Sequence, residues 1–226
     1  MSTYGDRGNI LVLQKRCEWR GIKIEIEGIE GRGGQGELEK ADLIFGGGAQ
    51  DRQQEIVMRD LFKHKKILQK LLDSNIPGLF VCGAPQLLGR PYLGLFDMET
   101  KFFKDKKRLI GNLIAAVSEK RLAVSGKETI VGFENHGGRT YLGEGVKPLA
   151  KVVRGFGNNG EDKTEGAVYK NWLATYMHGP FLPKNPHIAD WLIKTALEVK
   201  YQKSVELEVL DDLLEWTAHD FVSKNR

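Results

Sequence analysis

Residues 78–89 read Gly-Leu-Phe-Val-Cys-Gly-Ala-Pro-Gln-Leu-Leu-Gly, and the fold of the whole chain is best interpreted outward from them. A short apolar run ends in Cys82, small residues follow, and a new apolar segment starts after Pro85. This order is typical of a buried strand, a sharp turn and the first turn of a helix, where a proline loses no hydrogen bond. The dipole of such a helix favours the thiolate of a cysteine at its N-terminus. Cys82 is therefore a candidate nucleophile, and a buried structural cysteine is the alternative.

The composition indicates an ordinary soluble protein, which we expect to form a single domain over residues 1–226. The chain is long enough to bury a full core, with 41% apolar and 28% charged residues and no apolar run of membrane-spanning length. No signal peptide is predicted, and two cysteines, Cys17 and Cys82, make no disulfide framework, so we expect a reducing cytoplasm. The net charge of +4 is small, and the basic runs at residues 64–66 and 104–108 are interpreted as solvated faces rather than a nucleic-acid site.

Glycine-rich turns follow the predicted strands in the first half of the chain. The pattern predicts helices over residues 10–20 and 53–72, strands over 22–26 and 41–45, a glycine-rich loop over 28–36 and a turn over 75–78. This alternation favours a doubly wound α/β sheet, whose ligands bind beyond the carboxyl ends of the strands. Residues 46–48 and Cys82 should then share one crevice. Such a sheet should open with a strand, so we expect that the true start lies upstream or that the first strand is missing.

The second half of the chain has a different pattern. Strands are predicted over residues 109–117, 129–134, 149–156 and 166–172, with turn-rich links that favour a partly antiparallel arrangement. Amphipathic helices are predicted over residues 186–201 and 205–222, so that residues 202–226 form a C-terminal helical tail.

A thiolate nucleophile needs a base within hydrogen-bond reach, and the chain offers five histidines. His64 lies in a lysine-rich helix and His219 in a charged tail, so both are expected to be exposed, and His187 is expected to have a surface role at a helix start. His136 and His178 each end a strand-like run and precede a glycine, as residues of site loops often do. No Cys/His pair has the spacing of metal ligands, so no metal site is predicted.

Several motifs together carry a resemblance to a known family. They are Phe45-Gly46-Gly47-Gly48, the segment from Cys82-Gly83 to Gln86-Leu87-Leu88-Gly89, and Tyr176-Met177-His178-Gly179-Pro180. These motifs resemble class I glutamine amidotransferases of the cobyric acid synthase type. Residues 4–9, 132–141 and 178–185 are similar, more closely, to the GatD-type subunits of lipid II isoglutaminyl synthases. The resemblance extends from residue 4 to about residue 197, and it implies a flavodoxin-like α/β fold with a central, mostly parallel sheet, helices on both faces and a partly antiparallel second half.

The resemblance also implies roles for individual residues. Cys82 would attack L-glutamine to form a thioester, and His178 would be the general acid and base. The implied oxyanion donors are the backbone N–H groups of Gly47, Gly48 and Gly83, and the implied substrate-binding residues are Gln86, Arg108, Asn135 and Gly137. Arg108 matches an arginine that pairs with the glutamine α-carboxylate, for which a planar guanidinium is better suited than a lysine. His136 becomes a neighbour of the site rather than its base.

A partner is implied as well, because ammonia is useful only if a second protein delivers it to an activated acceptor. The resemblance implies a heterodimer with a Mur-ligase-like (MurT-like) synthetase that binds ATP and Mg²⁺ and activates D-glutamate of lipid II. No phosphate-binding Gly-x-x-x-x-Gly-Lys-Ser/Thr motif occurs in this chain, so no cofactor is expected on it. We expect a cytoplasmic location, with the inner face of the membrane, through the complex, as the alternative.

Three departures from the pattern keep other functions open. Pro180 stands where many class I enzymes have a glutamate, so the third member of the triad is inferred to be an aspartate of the partner. Ala84 and Pro85 replace the usual Gly-Tyr after Cys-Gly, and the link over residues 92–96 is shorter than the GatD-like pattern. The alternatives are a cobyric acid synthase-like amidotransferase for another acceptor, and a non-catalytic scaffold subunit whose site has decayed.

Overall fold

The computed structural model describes residues 7–29, 34–48, 51–123 and 126–224, with the backbone alone at 51–58 and 60. The motif at residues 4–6 therefore lies outside the described part. The helices are α1 (Arg7–Glu18), α2 (Gln35–Glu39), α3 (Asp51–Asp73), α4 (Ala84–Leu88), α5 (Pro186–Tyr201) and α6 (Leu213–Lys224), with short 3-10 turns at Lys120–Leu122 and Leu182–Lys184. The strands are β1 (Ile44–Gly46), β2 (Gly78–Val81), β3 (Met98–Phe102), β4 (Leu109–Val117), β5 (Thr129–His136), β6 (Gly138–Leu142), β7 (Ala150–Arg154), β8 (Thr164–Glu165), β9 (Ala167–Tyr169) and β10 (Trp172–Thr175).

The central sheet has the strand order β1-β2-β10-β9. Strands β1, β2 and β10 run parallel, with Leu79 of β2 opposite Phe45 on one side and Leu173 on the other. Strand β9 is antiparallel to β10. The predicted α/β architecture with a mostly parallel sheet is therefore confirmed, and the carboxyl ends of β1, β2 and β10 meet at one edge.

Helices cover both faces of this sheet. Successive residues of β2 point to opposite faces, so each residue packs against the helices on its own side. Leu79 and Val81 pack in a cluster with Leu13 of α1 and Ile188 of α5. Phe80, between them, packs in a second cluster with α3 and α4. A strand buried on both faces reads as a continuous apolar run, which explains the pattern of residues 78–81. None of the helices in the described part of the chain combines the length and apolarity needed to cross a bilayer.

The second half forms a separate antiparallel sheet of order β5-β4-β7-β8, as the turn-rich pattern predicted. A small antiparallel pair, β3 with β6, extends from it, and the sequence had not predicted either strand. One backbone contact between the two larger sheets is formed where the N–H of His178 donates to the carbonyl oxygen of Phe133 over 2.9 Å. The third residue after β10 is thus tied to the middle of β5.

Three predicted elements are wrong in whole or in part. Residues 22–26 have no regular structure, and Ile24 and Ile26 are exposed, because none of the described strands pairs with this segment. The strand predicted over residues 166–172 is two strands, since Lys170 has a left-handed φ of 54° and turns the chain between them. The last helix begins at Leu213 rather than at residue 205, and the preceding segment runs over α1, where Arg16 donates to Asp212.

Candidate active site

Cys82 occupies a sharp turn between β2 and α4. Its φ of 58° lies in the left-handed region, which costs about 1 kcal/mol or more for a residue with a side chain. The turn is held by the N–H of Cys82, which donates to the carbonyl oxygen of Thr175 over 2.9 Å. Helix α4 starts two residues later with proline in its first turn, as predicted. A strained residue at a strand–turn–helix junction is the geometry that presents a nucleophile at the edge of an α/β sheet.

His178 follows the neighbouring strand at the same edge. Strands β2 and β10 are parallel, with Thr175 opposite Val81, so the segments that carry Cys82 and His178 leave the sheet side by side. The ring of His178 is 94% buried and meets the ring of Phe133 edge-on, with 5.8 Å between centroids. Burial lowers the pKa of His178 below its usual 6.5, and the nearby His136 and Lys184 act in the same direction. A neutral imidazole of this kind can accept a proton near neutral pH.

The glycine loop after β1 reaches the same edge. Gly46 pairs with Phe80 of β2, so Gly47 and Gly48 continue beside the turn that holds Cys82. A Cβ on Gly46 would lie 2.6 Å from Cδ1 of Phe80 and 3.4 Å from Cβ of Ala84. This close approach requires glycine, and it sets the loop against the start of α4. The predicted neighbourhood of residues 46–48, Cys82 and Gly83 is therefore present.

Arg108, Asn135 and Gly137 form a second group on the antiparallel sheet. The Nε of Arg108 donates to Oδ1 of Asn135, and its Nη2 donates to the carbonyl oxygen of Asn135, both over 2.9 Å. A Cβ on Gly137 would lie 3.5 Å from Nη1 of Arg108. The guanidinium is exposed yet fixed from one side, which leaves a planar, oriented cation at the surface.

Gln86 links this group to the parallel sheet. Its side chain is 96% buried, and its Nε2 lies 3.4 Å from the hydroxyl of Tyr176 and would lie 2.8 Å from a Cβ on Gly138. The Oε1 of Gln86 makes no hydrogen bond to the described residues. A buried amide oxygen without a partner is costly, so this atom is suited to accept from a bound molecule. All the predicted site residues are thus divided between two neighbouring groups.

The structure also places buried polar side chains around His136, which the sequence analysis treated as a neighbour of the site. His136 donates from Nδ1 to the carbonyl oxygen of Gly138 over 2.9 Å, and its ring stacks on Tyr176 with 3.7 Å between centroids. Its Nε2 lies 3.5 Å from Glu134, which accepts backbone N–H groups of residues 156 and 157. The hydroxyl of Tyr176 hydrogen-bonds to Thr140 over 2.6 Å, and burial raises its pKa to about 12. His136 is thus an interior neighbour of the site.

Glu165 lies beneath the strand that leads to His178. Its Oε1 accepts from the hydroxyl of Thr175 over 2.6 Å and from the N–H of Tyr176 over 3.0 Å. The side chain is fully buried, and burial raises its pKa to about 7. No local sequence signal distinguishes Glu165 from a surface glutamate, because its burial arises only when its side chain packs against the end of β10 in the folded chain.

The other three histidines are buried, contrary to the prediction of exposure. His64, His187 and His219 are each at most 3% exposed. His219 bonds through its two ring nitrogens to the carbonyl oxygen of Lys184 and to the hydroxyl of Thr129, which fixes α6 on the fold. His187 stacks on Trp216 of α6, and burial lowers its pKa to about 3. Among the described residues no cluster of three His, Cys, Asp or Glu side chains could hold a metal ion.

Comparison with known families and curated proteins gives a consistent result. Residues 1–186 match the family model described as a CobB/CobQ-like glutamine amidotransferase domain. A lipid II isoglutaminyl synthase subunit GatD of Staphylococcus aureus is 40% identical over 88% of this chain and 82% of its own. The subunit of the same name from Streptococcus pneumoniae is 36% identical over 95% and 83%. A cobyric acid synthase of Clostridium botulinum is 29% identical, over 40% of its own length.

Solved structures share the fold at low sequence identity. Thermotoga maritima PurLQS has a TM-score of 0.59 and 15% identity, over 85% of this chain and 92% of that chain. The glutaminase domain of Trypanosoma brucei CTPS, with bound acivicin, has a TM-score of 0.56 and 13% identity, over 92% and 93%. These likenesses confirm the fold of the class I glutamine amidotransferases.

Proposed function

This chain belongs to the family of CobB/CobQ-like glutamine amidotransferases, and from that premise we propose that it is the glutaminase subunit of a two-protein enzyme that amidates lipid II. The observation that carries the glutaminase role is the position of Cys82 at positive φ beside the segment of His178. Lipid II is proposed as the acceptor because the two GatD relatives are named as subunits of lipid II isoglutaminyl synthases, and this chain spans more than four fifths of their length. The cobyric acid synthase relatives give weaker support to the alternative of an amidotransferase for another acceptor, because the chain spans 40% or less of their length.

The proposed reaction starts when the thiol of Cys82 gives its proton to His178, and the resulting thiolate attacks the carboxamide carbon of L-glutamine. The C=O electrons move to the oxygen, and backbone N–H groups of Gly47, Gly48 and Gly83 would receive this oxyanion; one such donor is worth about 3 kcal/mol. Collapse of the intermediate breaks the C–N bond, and His178 protonates the departing nitrogen to give ammonia and a glutamyl thioester. His178 then takes a proton from water, whose oxygen attacks the thioester and releases glutamate and the thiol.

The substrate is proposed to lie between the two groups of the site. Arg108 would pair with the α-carboxylate of glutamine, Asn135 would hold the guanidinium in place, and Gly137 would leave the approach open. The unpartnered Oε1 of Gln86 would accept an N–H of the substrate. Each of these contacts is oriented by the antiparallel sheet or by α4.

We expect Arg108→Lys to raise the KM for glutamine about tenfold or more with a smaller change in kcat. A lysine cannot make the two-point contact with a carboxylate, and a charge-assisted hydrogen bond contributes about 1.5–3 kcal/mol. Steady-state kinetics of glutamine hydrolysis measure the effect. Arg90→Lys is the matched control, because Arg90 is also exposed and pairs with Asp97. An unchanged KM in Arg108→Lys would contradict the assigned role.

We expect the acid limb of the pH–rate profile to lie below pH 6.5. The base must be neutral to accept a proton, and the pKa of His178 is lowered by burial, His136 and Lys184. Removing the Lys184 cation in Lys184→Gln should therefore raise the pKa of His178 and move the acid limb to higher pH, whereas Lys184→Arg should leave it in place. A limb that moves equally in both variants would show that Lys184 acts by packing.

The proposed partner is a Mur-ligase-like (MurT-like) synthetase. It would bind ATP and Mg²⁺, activate the α-carboxyl of D-glutamate in lipid II, and supply the aspartate that completes the triad with Cys82 and His178. The complex would work in the cytoplasm, at the inner face of the membrane where lipid II is made.

Ammonia release from glutamine, with and without the co-purified synthetase, tests the proposed function. Release that requires the partner supports a glutaminase completed by that subunit. Release without the partner would show that the triad is complete in this chain. Folded protein that releases no ammonia in either case would favour the scaffold alternative, in which Ala84 and Pro85 mark a decayed site.

A further inference from the structure

Residues 101–108, which we call the β3–β4 tip, are exposed at every position. They hold five basic side chains and one acidic one, so this segment by itself carries the formal charge of +4 of the whole chain. Lys106 and Lys101 have acidic neighbours, Glu161 at 2.6 Å and Glu99 at 3.2 Å, and these exposed pairs are weak. The tip is therefore a concentrated positive surface, and the formal charges of the rest of the chain sum to zero.

The tip also exposes two large apolar side chains. Phe102 is 54% exposed and Phe103 is 41% exposed. Phe102 is the last residue of β3 and Phe103 is the first residue after it. Every residue from 101 to 108 is exposed, which indicates that the segment projects from the fold. The Nζ of Lys106 lies 4.8 Å from the centroid of the Phe103 ring, so cation and ring are presented together.

The size and chemistry of the tip favour a bilayer over a protein as its partner. A stable protein interface buries about 800 Å² on each side, and two phenylalanines supply at most about half of that. A membrane interface accepts a small wedge, with aromatic rings at the level of the headgroups and lysines that extend to lipid phosphates. Anionic lipids complement the charge of the tip.

We propose that the β3–β4 tip is a peripheral membrane-binding element, which places Phe102 and Phe103 among the headgroups of an anionic bilayer while its lysines contact lipid phosphates. The proposal rests on the exposure and charge of the tip and is independent of the proposed function. Arg108 ends the tip and lies against Asn135, so membrane binding would hold the candidate site close to the bilayer surface.

Vesicle flotation of the full chain tests this proposal. The probes are vesicles of phosphatidylcholine mixed with phosphatidylglycerol and vesicles of phosphatidylcholine alone. The test variant is Phe103→Ser/Lys104→Glu. The matched control is Tyr201→Ser/Lys203→Glu, because Tyr201 is 57% exposed with the Nζ of Lys203 5.8 Å from its ring centroid. Both variants lose one exposed aromatic ring and reverse one lysine.

We expect the wild type to bind the anionic vesicles and to be released when salt rises from about 0.1 M to about 1 M. The tip variant should lose at least about tenfold in partitioning, since each charge near such a surface contributes about fivefold, and the control should change less than about twofold. The proposal would be overturned if the wild type does not bind the anionic vesicles or binds the neutral vesicles equally well. It would also be overturned if the control variant loses as much binding as the tip variant. A tip variant that binds vesicles normally but loses the synthetase would overturn it as well, because the tip would then contact protein. Glutamine hydrolysis should be unchanged in both variants, and its absence in the wild type would count against the proposed function alone.

Discussion

Replacing Cys82 with alanine is expected to lower the rate of glutamine hydrolysis by more than about a thousandfold. The thioester cannot form without the thiol, and the loss of a nucleophile removes most of the rate enhancement of enzymes that use covalent catalysis. Ammonia release measured with the synthetase present gives the rate. Substantial residual hydrolysis in Cys82→Ala would contradict the assignment of Cys82 as the nucleophile.

Two further cysteine variants separate chemistry from folding. Cys17 is 5% exposed and packs in α1, so Cys17→Ala should keep the rate and cost about 1 kcal/mol of unfolding free energy. Cys82→Gly should be as inactive as Cys82→Ala but more stable by about 1 kcal/mol, because glycine adopts a φ of 58° without strain. Equal stability of these two variants would mean that the turn does not hold strain at Cys82.

Replacing Glu165 with glutamine is expected to make protein stability less sensitive to pH. The pKa of Glu165 is raised from 4.5 to about 7 in the folded protein, so the native state holds this proton more tightly than the unfolded state. The contribution of the group to the free energy of unfolding is therefore complete below pH 4.5 and is lost as pH rises through about 7. The loss amounts to about 3 kcal/mol, at 1.36 kcal/mol for each unit of pKa. Glutamine keeps the accepting Oε1 and does not titrate.

Chemical denaturation of both proteins at a series of pH values measures this effect. The unfolding free energy of Glu165→Gln relative to the wild type should rise by about 3 kcal/mol between pH 4.5 and pH 8. Glu128→Gln removes the same charge from an exposed position of the chain and is the control. A relative stability of Glu165→Gln that is constant with pH would refute the role assigned to burial.

The sequence patterns predicted the elements around Cys82 better than the residues that pack beneath them. Residues 78–89 carry strand, turn and helix signals in immediate succession, so the strained position of Cys82 follows from local chemistry. The helix over 186–201 and the strand over 109–117 match the structure residue for residue, because one stripe of the helix and much of the strand meet the core.

The errors arose where tertiary contacts override local pattern. His219 reads as an exposed residue of a charged tail, yet Thr129 and Lys184 are brought to its two ring nitrogens by the fold. The alternation over residues 22–26 predicts a strand, but none of the described strands pairs with this segment. The burial of Glu165 depends on its contact with the end of β10, and neither its position nor its neighbours in the chain indicate that contact.

The backbone hydrogen bond between His178 and Phe133 also couples the positions of the two larger sheets. It fastens the end of a parallel strand to the middle of an antiparallel one. Any shift of β5, whether from a ligand at Arg108 or from a protein bound to that sheet, would be transmitted to the imidazole as a displacement relative to Cys82. The proposed acid–base group therefore lies where the two larger sheets meet, and its alignment with Cys82 would depend on the position of the second sheet.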